Sequence, residues 1–248
     1  MIKVIANADD FGKSHEVNLG ILDGFKRGML QRTTLMVNMP FADEAVQLAK
    51  ENGFFDKVGL HLNLTEGASL TEGIRHISWL YREGEMTSRI IPYLRKHWML
   101  TRDEHASIRE EMKAQFDKYM SYGLALKHVD SHQHVHNEYS ICKMLCGVAQ
   151  EYGFRSMRIA RNLMPMDGWK QKIKRVYKAK INRKIRTLFS STDYFGSYDD
   201  YLHYFKDEGS VEIMLHPCLK GDLLYDIVEE LSRTAGQPIA PPLCGPPR

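Results

Sequence analysis

The sequence predicts an α/β fold, a distorted or incomplete (β/α) TIM-like barrel. Three observations carry that expectation. Short apolar runs alternate with stretches of helical periodicity. The gaps between successive runs are too long for hairpins, which requires parallel pairing and right-handed crossovers. Residues capable of chemistry gather where several runs end, and in a (β/α) barrel the C-terminal strand ends share one mouth. A doubly wound open sheet is the alternative. It lacks a nucleotide fingerprint, because Asp9-Asp10-Phe11-Gly12 puts negative charge where a phosphate would need donors.

In order, Ile2–Ala6 reads as the first strand, with a loop from Asn7. Ser14 caps a helix whose inner face is Val17, Ile21, Leu22 and Phe25, ending before Gly28. Thr34–Val37 is the second strand, and a helix over Ala42–Glu51 stops at Gly53. Val58–Leu64 is the third strand, with His61, Asn63 and Thr65 on one parity. Residues 66–104 are broken by Gly67, Gly73, Gly84 and Pro92 and read as a lid or substrate-binding insertion. Ile108, Met112, Phe116 and Tyr119 mark a helix that Gly123 ends.

Leu126–His136, LKHVDSHQHVH, follows as a strand with His128, Asp130, His132, His134 and His136 at alternate positions. In an extended segment all five face one side, where a buried strand normally carries Val, Ile or Leu. Ser140–Tyr152 is helical and Ser156–Ala160 a strand, with Arg158 and Arg161 near its end. Residues 168–189 form a basic helix on which Ile173, Val176, Tyr177, Ile181, Ile185 and Leu188 make an apolar stripe. Thr192–Phe195 is a short strand, Tyr198–Lys206 a helix, Val211–Leu215 the last clear strand, and Leu223–Ser232 a final helix. One domain is expected over residues 1–235, and residues 236–248 read as a Pro-rich, disordered or polyproline-like tail.

Composition narrows the partners. The net charge of +3 is too mild to demand a polyanion. No apolar run is long enough to span a membrane, and the N-terminus carries aspartates where a secretion signal needs its apolar core. The four cysteines form no CxxC pair, which fits reduced thiols in the cytoplasm, with Cys142 and Cys146 as small buried helix residues. Neither nucleic acid nor membrane is expected as a partner; a homodimer is left open.

Asp9/Asp10, His61, Asp130/His132/His134 and His216 all fall at predicted strand ends. Imidazoles with a carboxylate suit a divalent metal that activates water and polarises a carbonyl. Adjacent aspartates suggest one ligand and one base, and a spare histidine can protonate a leaving group. This set fits metal-assisted amide hydrolysis, with phosphoester hydrolysis as the alternative.

Four motifs add a resemblance. NADDFG at Asn7–Gly12, GLHLNLTEG at Gly59–Gly67, HVDSHQHVH at His128–His136 and MLHP at Met214–Pro217 together resemble the YdjC-like carbohydrate deacetylases. That family includes diacetylchitobiose (chitooligosaccharide) deacetylases and relatives that accompany hopanoid biosynthesis. The resemblance implies a barrel of the deacetylase type and an N-acetylated sugar as substrate. It implies Asp10, His61 and His132 as metal ligands, Asp9 as general base and His216 as general acid. It implies one divalent metal, Mg2+, with Zn2+ the alternative favoured by ligand softness. Asn63, Asp130 and His134 are expected to orient ligands, and Arg158 or Arg161 to support the site or contact substrate.

Overall fold

The computed structural model describes residues 3–97, 100–164, 168–206, 208–221 and 223–227. The polypeptide alternates strands β1 (Lys3–Phe11), β2 (Arg32–Leu35) and β3 (Val58–Leu62) with helices α1 (His15–Lys26) and α2 (Ala42–Glu51). The insertion then supplies α3 (Glu72–Arg75), an antiparallel pair β4 (Tyr81–Arg82) and β5 (Glu85–Met86), and α4 (Ile90–His97). There follow α5 (Arg102–Ser121), β6 (His128–Ser131), α6 (Tyr139–Glu151), β7 (Ser156–Met157), α7 (Trp169–Leu188), β8 (Tyr194–Ser197), α8 (Tyr198–Tyr204) and β9 (Ser210–Leu215). An antiparallel hairpin, β10 (Pro217–Lys220) and β11 (Leu223–Asp226), comes last among the described residues.

Seven strands pair in the order β7-β6-β3-β2-β1-β9-β8, all parallel. The result is the expected incomplete barrel, an open, strongly curled sheet flanked by helices. Its edges approach each other through irregular backbone: Ser156 bridges Ser190, and the amides of Asn162 and Leu163 donate to the Phe195 carbonyl. Alternation along the strands explains the layers. Ala6, Ala8, Leu60, Leu62, Val129, Val211 and Ile213 join the core with helix residues such as Ile21, Ala45, Phe116 and Ile185. The intervening positions are Asn7, Asp9, His61, Asp130 and Glu212, so the buried interior of the curl is polar.

Several expected boundaries move. β1 runs on to Phe11 instead of ending at Ala6, because Phe11 pairs with Leu35 beyond the irregularity at Asp9 and Asp10. The central strand stops at Ser131; His132–Asn137 turns in a 3-10 geometry with left-handed Gln133 and His134 (φ 48° and 54°), so the five alternate groups do not share one face. β11 replaces the start of the helix expected over 223–232, because Leu223–Asp226 pairs with β10; residues 228–232 of that helix and the tail lie outside the described residues. The stripe on α7 also divides. Ile181 and Ile185 are fully buried, whereas Ile173 and Val176 are 60% and 73% exposed.

Candidate active site

Two neighbouring strand residues normally face opposite ways, yet both aspartates of β1 enter the curl. The register explains it: Ala8 pairs with Thr33 and Phe11 with Leu35, so β1 holds one more residue than β2 across that interval. Asp10 takes the extra position with φ 68°, a conformation Asp tolerates better than most residues. Gly12, with φ 92°, then turns the chain into α1, where Ser14 accepts from the Val17 amide.

His61, on β3, has Nδ1 2.6 Å from Asp130 Oδ1 and Nε2 3.2 Å from Asp10 Oδ1. His132, just past β6, has Nδ1 2.8 Å from the same Asp10 oxygen and Nε2 3.2 Å from Glu66 Oε1. Each imidazole therefore turns one nitrogen to Asp10 and the other to an outer carboxylate, an arrangement that fixes the tautomer of a metal-binding histidine. One ligand atom from each of Asp10, His61 and His132 lies within 4.8 Å of the others.

Behind them, Arg158 is fully buried. Nη1 and Nη2 grip Asp9 at 2.6 and 2.7 Å, Nη2 is also 2.9 Å from Asp130 Oδ2, and Nε donates to Glu212 at 2.6 Å. Arg32 holds the other Glu212 oxygen at 2.7 Å, and Thr34 donates to Asp130 at 3.0 Å. Burial opposes ionisation of Asp9, but the Arg158 guanidinium outweighs it and holds the carboxyl well below its ordinary range.

The donor set fits a divalent cation. Among the described residues the five carboxylates Asp9, Asp10, Asp130, Glu212 and Glu66 are met by three fixed cations, Arg32, Arg158 and Lys13, the last 2.8 Å from Glu66 and 3.6 Å from Asp10. With neutral imidazoles, two negative charges remain unbalanced. Burial alone would push His61 down, but Asp130, Asp10 and Asp9 raise it to about 10, and His132 is raised beside Asp10. Such a site attracts positive charge. Other acidic groupings, such as His128 with Asp130 and Glu212, already hold an arginine.

His216 follows β9, with Nε2 4.0 Å from Asp9 Oδ2 and Nδ1 3.7 Å from Asp226 Oδ1. Its backbone amide donates to Asp226 Oδ2 at 2.7 Å. Burial lowers its basicity, but Asp226 and Asp9 outweigh that and raise His216 to about 8. The interior thus offers a cation cradle, an ionised carboxylate beside it and an imidazolium within 4.0 Å of that carboxylate.

The model for the YdjC-like protein family matches residues 3–236. The chain belongs to the YdjC-like family. A carbohydrate deacetylase of Clostridium beijerinckii is 38% identical over 151 residues, covering 61% of this chain and 58% of the relative. One from Halalkalibacterium halodurans is 30% identical over 233 residues, covering 90% and 88%. The alignments with the Clostridium beijerinckii and Brevibacillus brevis relatives span less than two thirds of their lengths, 58% and 57%. The crystal structure of a candidate cellobiose-phosphate cleavage protein from Enterococcus faecalis V583 superposes with a TM-score of 0.65 at 22% identity, over 88% of this chain and 82% of that one, a likeness of fold.

In the YdjC-like chain the expected residues separate by place. Asp9, Asp10, His61, Asp130, His132, Arg158 and His216 converge. Asn63 lies in the loop after β3, where its side chain binds Asn38, the Thr65 amide and the Glu66 carbonyl. His134 lies on the left-handed turn against Phe195, with ring centroids 5.6 Å apart. Arg161 lies apart from the cluster, paired with Asp200 at 2.5 Å. Sequence reasoning did not pick out Glu66, Lys13, Asp226, Glu212 or Arg32. Glu66 stands inside the GLHLNLTEG motif, and that was the available signal; Asp226 was hidden by the expected helix.

Proposed function

We propose that this protein is a metal-dependent carbohydrate N-deacetylase that hydrolyses the amide of an N-acetylated sugar to acetate and a free amine. The observation that carries the reading is the meeting of Asp10, His61 and His132 beside Asp9 and His216. The relatives' name, carbohydrate deacetylase, supports the substrate class. A divalent cation held by Asp10, His61 and His132 would supply Lewis acidity toward the amide carbonyl and lower the pKa of a water. Asp9, locked in orientation by Arg158, receives the proton from the attacking water. His216 donates to the departing nitrogen, which cannot leave as an amide anion, and Asp226 holds its ring. Asp130 and Glu66 orient the two imidazoles.

The finer reading is a chitooligosaccharide-like substrate, Mg2+ with Zn2+ as the alternative, and a cytoplasmic chain whose single domain spans residues 1–235, as monomer or homodimer. Phosphoester hydrolysis is less well supported, because Arg158 and Arg161 are both engaged by carboxylates. The test is acetate release from mono-, di- and trimeric N-acetylglucosamine with Mg2+ or Zn2+ added, beside phosphate release from a generic ester. His132→Ala should lose metal binding and acetate release together. Full activity in that variant, or phosphate release without acetate, would replace this reading.

A further inference from the structure

Helix α7 carries a surface that the proposed chemistry does not use. Its twenty residues include nine Lys or Arg and no Asp or Glu. In its first half Trp169, Ile173 and Val176 are 68%, 60% and 73% exposed. Their spacing, i, i+4 and i+7, places them on one helix face. At 3.6 residues per turn that face lies about 130° round the helix from Ile181 and Ile185, which pack into the core. The stripe therefore points away from the core-facing side, with the exposed cation Lys172 along one edge.

The helix also projects at the mouth end. His132 belongs to the site, and the chain passes from it directly into α6, so Tyr139 at the start of α6 marks the level of the mouth. The Tyr139 amide donates to the Tyr177 hydroxyl at 3.1 Å, which sets Tyr177 at that level. Trp169 begins α7 eight residues earlier, roughly 12 Å farther out along the helix axis.

We propose that the first half of α7 docks this protein on an anionic phospholipid surface, with Trp169, Ile173 and Val176 in the acyl boundary and Lys172, with the other cations of the helix, on headgroups. An apolar stripe bordered by Lys and Arg is the pattern of helices that lie in a membrane interface. A second copy of the chain would bring nine like charges against nine. Nucleic acid would engage the cations but would give Ile173 and Val176 nothing to bury against. No helix among the described residues is long and apolar enough to cross a membrane, and lying on a surface does not require crossing.

The test uses the whole chain and vesicles of phosphatidylcholine, alone or with phosphatidylglycerol at about 2:1, read by co-sedimentation and tryptophan emission. We expect binding to the anionic vesicles at least about tenfold tighter than to the neutral ones, weakened by salt. We also expect a blue shift that Trp169→Phe removes. Ile173→Ser with Val176→Ser should abolish the binding while far-UV circular dichroism stays unchanged. Three results would overturn the proposal: no association with anionic vesicles, association that survives the double serine variant, or a dimer that this variant converts to monomer.

Discussion

At the scale of single residues, the site depends on side chains that hold other side chains. His216 is the clearest case. Asp226 and Asp9 raise it to about 8, so the imidazolium is present below that pH and is lost as pH rises through it. If His216 is the acid, the alkaline limb of kcat/KM should have its midpoint near 8. Asp226→Asn should move that midpoint down, and an unmoved limb would remove Asp226 from the role. Asp130 acts in the same indirect way on His61, through a 2.6 Å contact. Asp130→Asn should weaken metal affinity about 10- to 100-fold by equilibrium dialysis while leaving the three ligands in place. Parity along the sequence singled out His61 and Asp130, because strand alternation is a local rule. It could not single out Glu66, whose contact with His132 crosses from one strand end to another.

At the scale of elements, two departures from regular structure build the site. The extra residue in β1 turns Asp10 inward beside Asp9, and the left-handed turn after β6 ends the alternation once His132 has been delivered. The third device is the β10–β11 hairpin, which brings Asp226 back to His216. It packs on α1 at Gly20, where an added Cβ would sit 2.7 Å from the Cys218 backbone and 2.8 Å from Pro217. Gly20→Ala must therefore shift the hairpin. We expect it to cost about 1–3 kcal/mol in urea unfolding and to reduce turnover by displacing the neighbour of His216. Normal stability and turnover would show that the contact relaxes freely. The hairpin was missed as an element because Leu223-Leu224-Tyr225-Asp226 suits a helix as well as a strand, and pairing with Pro217–Lys220 decided between them.

At the scale of the whole molecule, the curled sheet encloses charge where most cores enclose hydrocarbon. Arg158 sits at its centre against Asp9, Asp130 and Glu212, and its removal would strand three buried carboxylates. Arg158→Met should destabilise the fold by about 3–5 kcal/mol. Arg161→Ala, which breaks a partly exposed pair with Asp200, should cost no more than about 1 kcal/mol. Equal midpoints for the two variants in denaturant would contradict the central role given to Arg158. Bound metal should add stability by mass action, so a chelator should lower the melting temperature of the metal-loaded protein.

The sequence by itself determined the alternation of strands and helices, the curled parallel architecture and the motifs whose Asp and His side chains meet. These follow from hydrophobic period and from strand ends that converge in any such barrel, both of which can be read along a single chain. Only the tertiary structure decided that Asp10 turns in beside Asp9, that Arg158 is consumed by carboxylates, that Asp226 backs His216 and that half the apolar stripe of α7 stays in solvent. Each depends on which distant segment arrives alongside, and desolvation and charge pairing between such segments leave no periodic trace in the sequence.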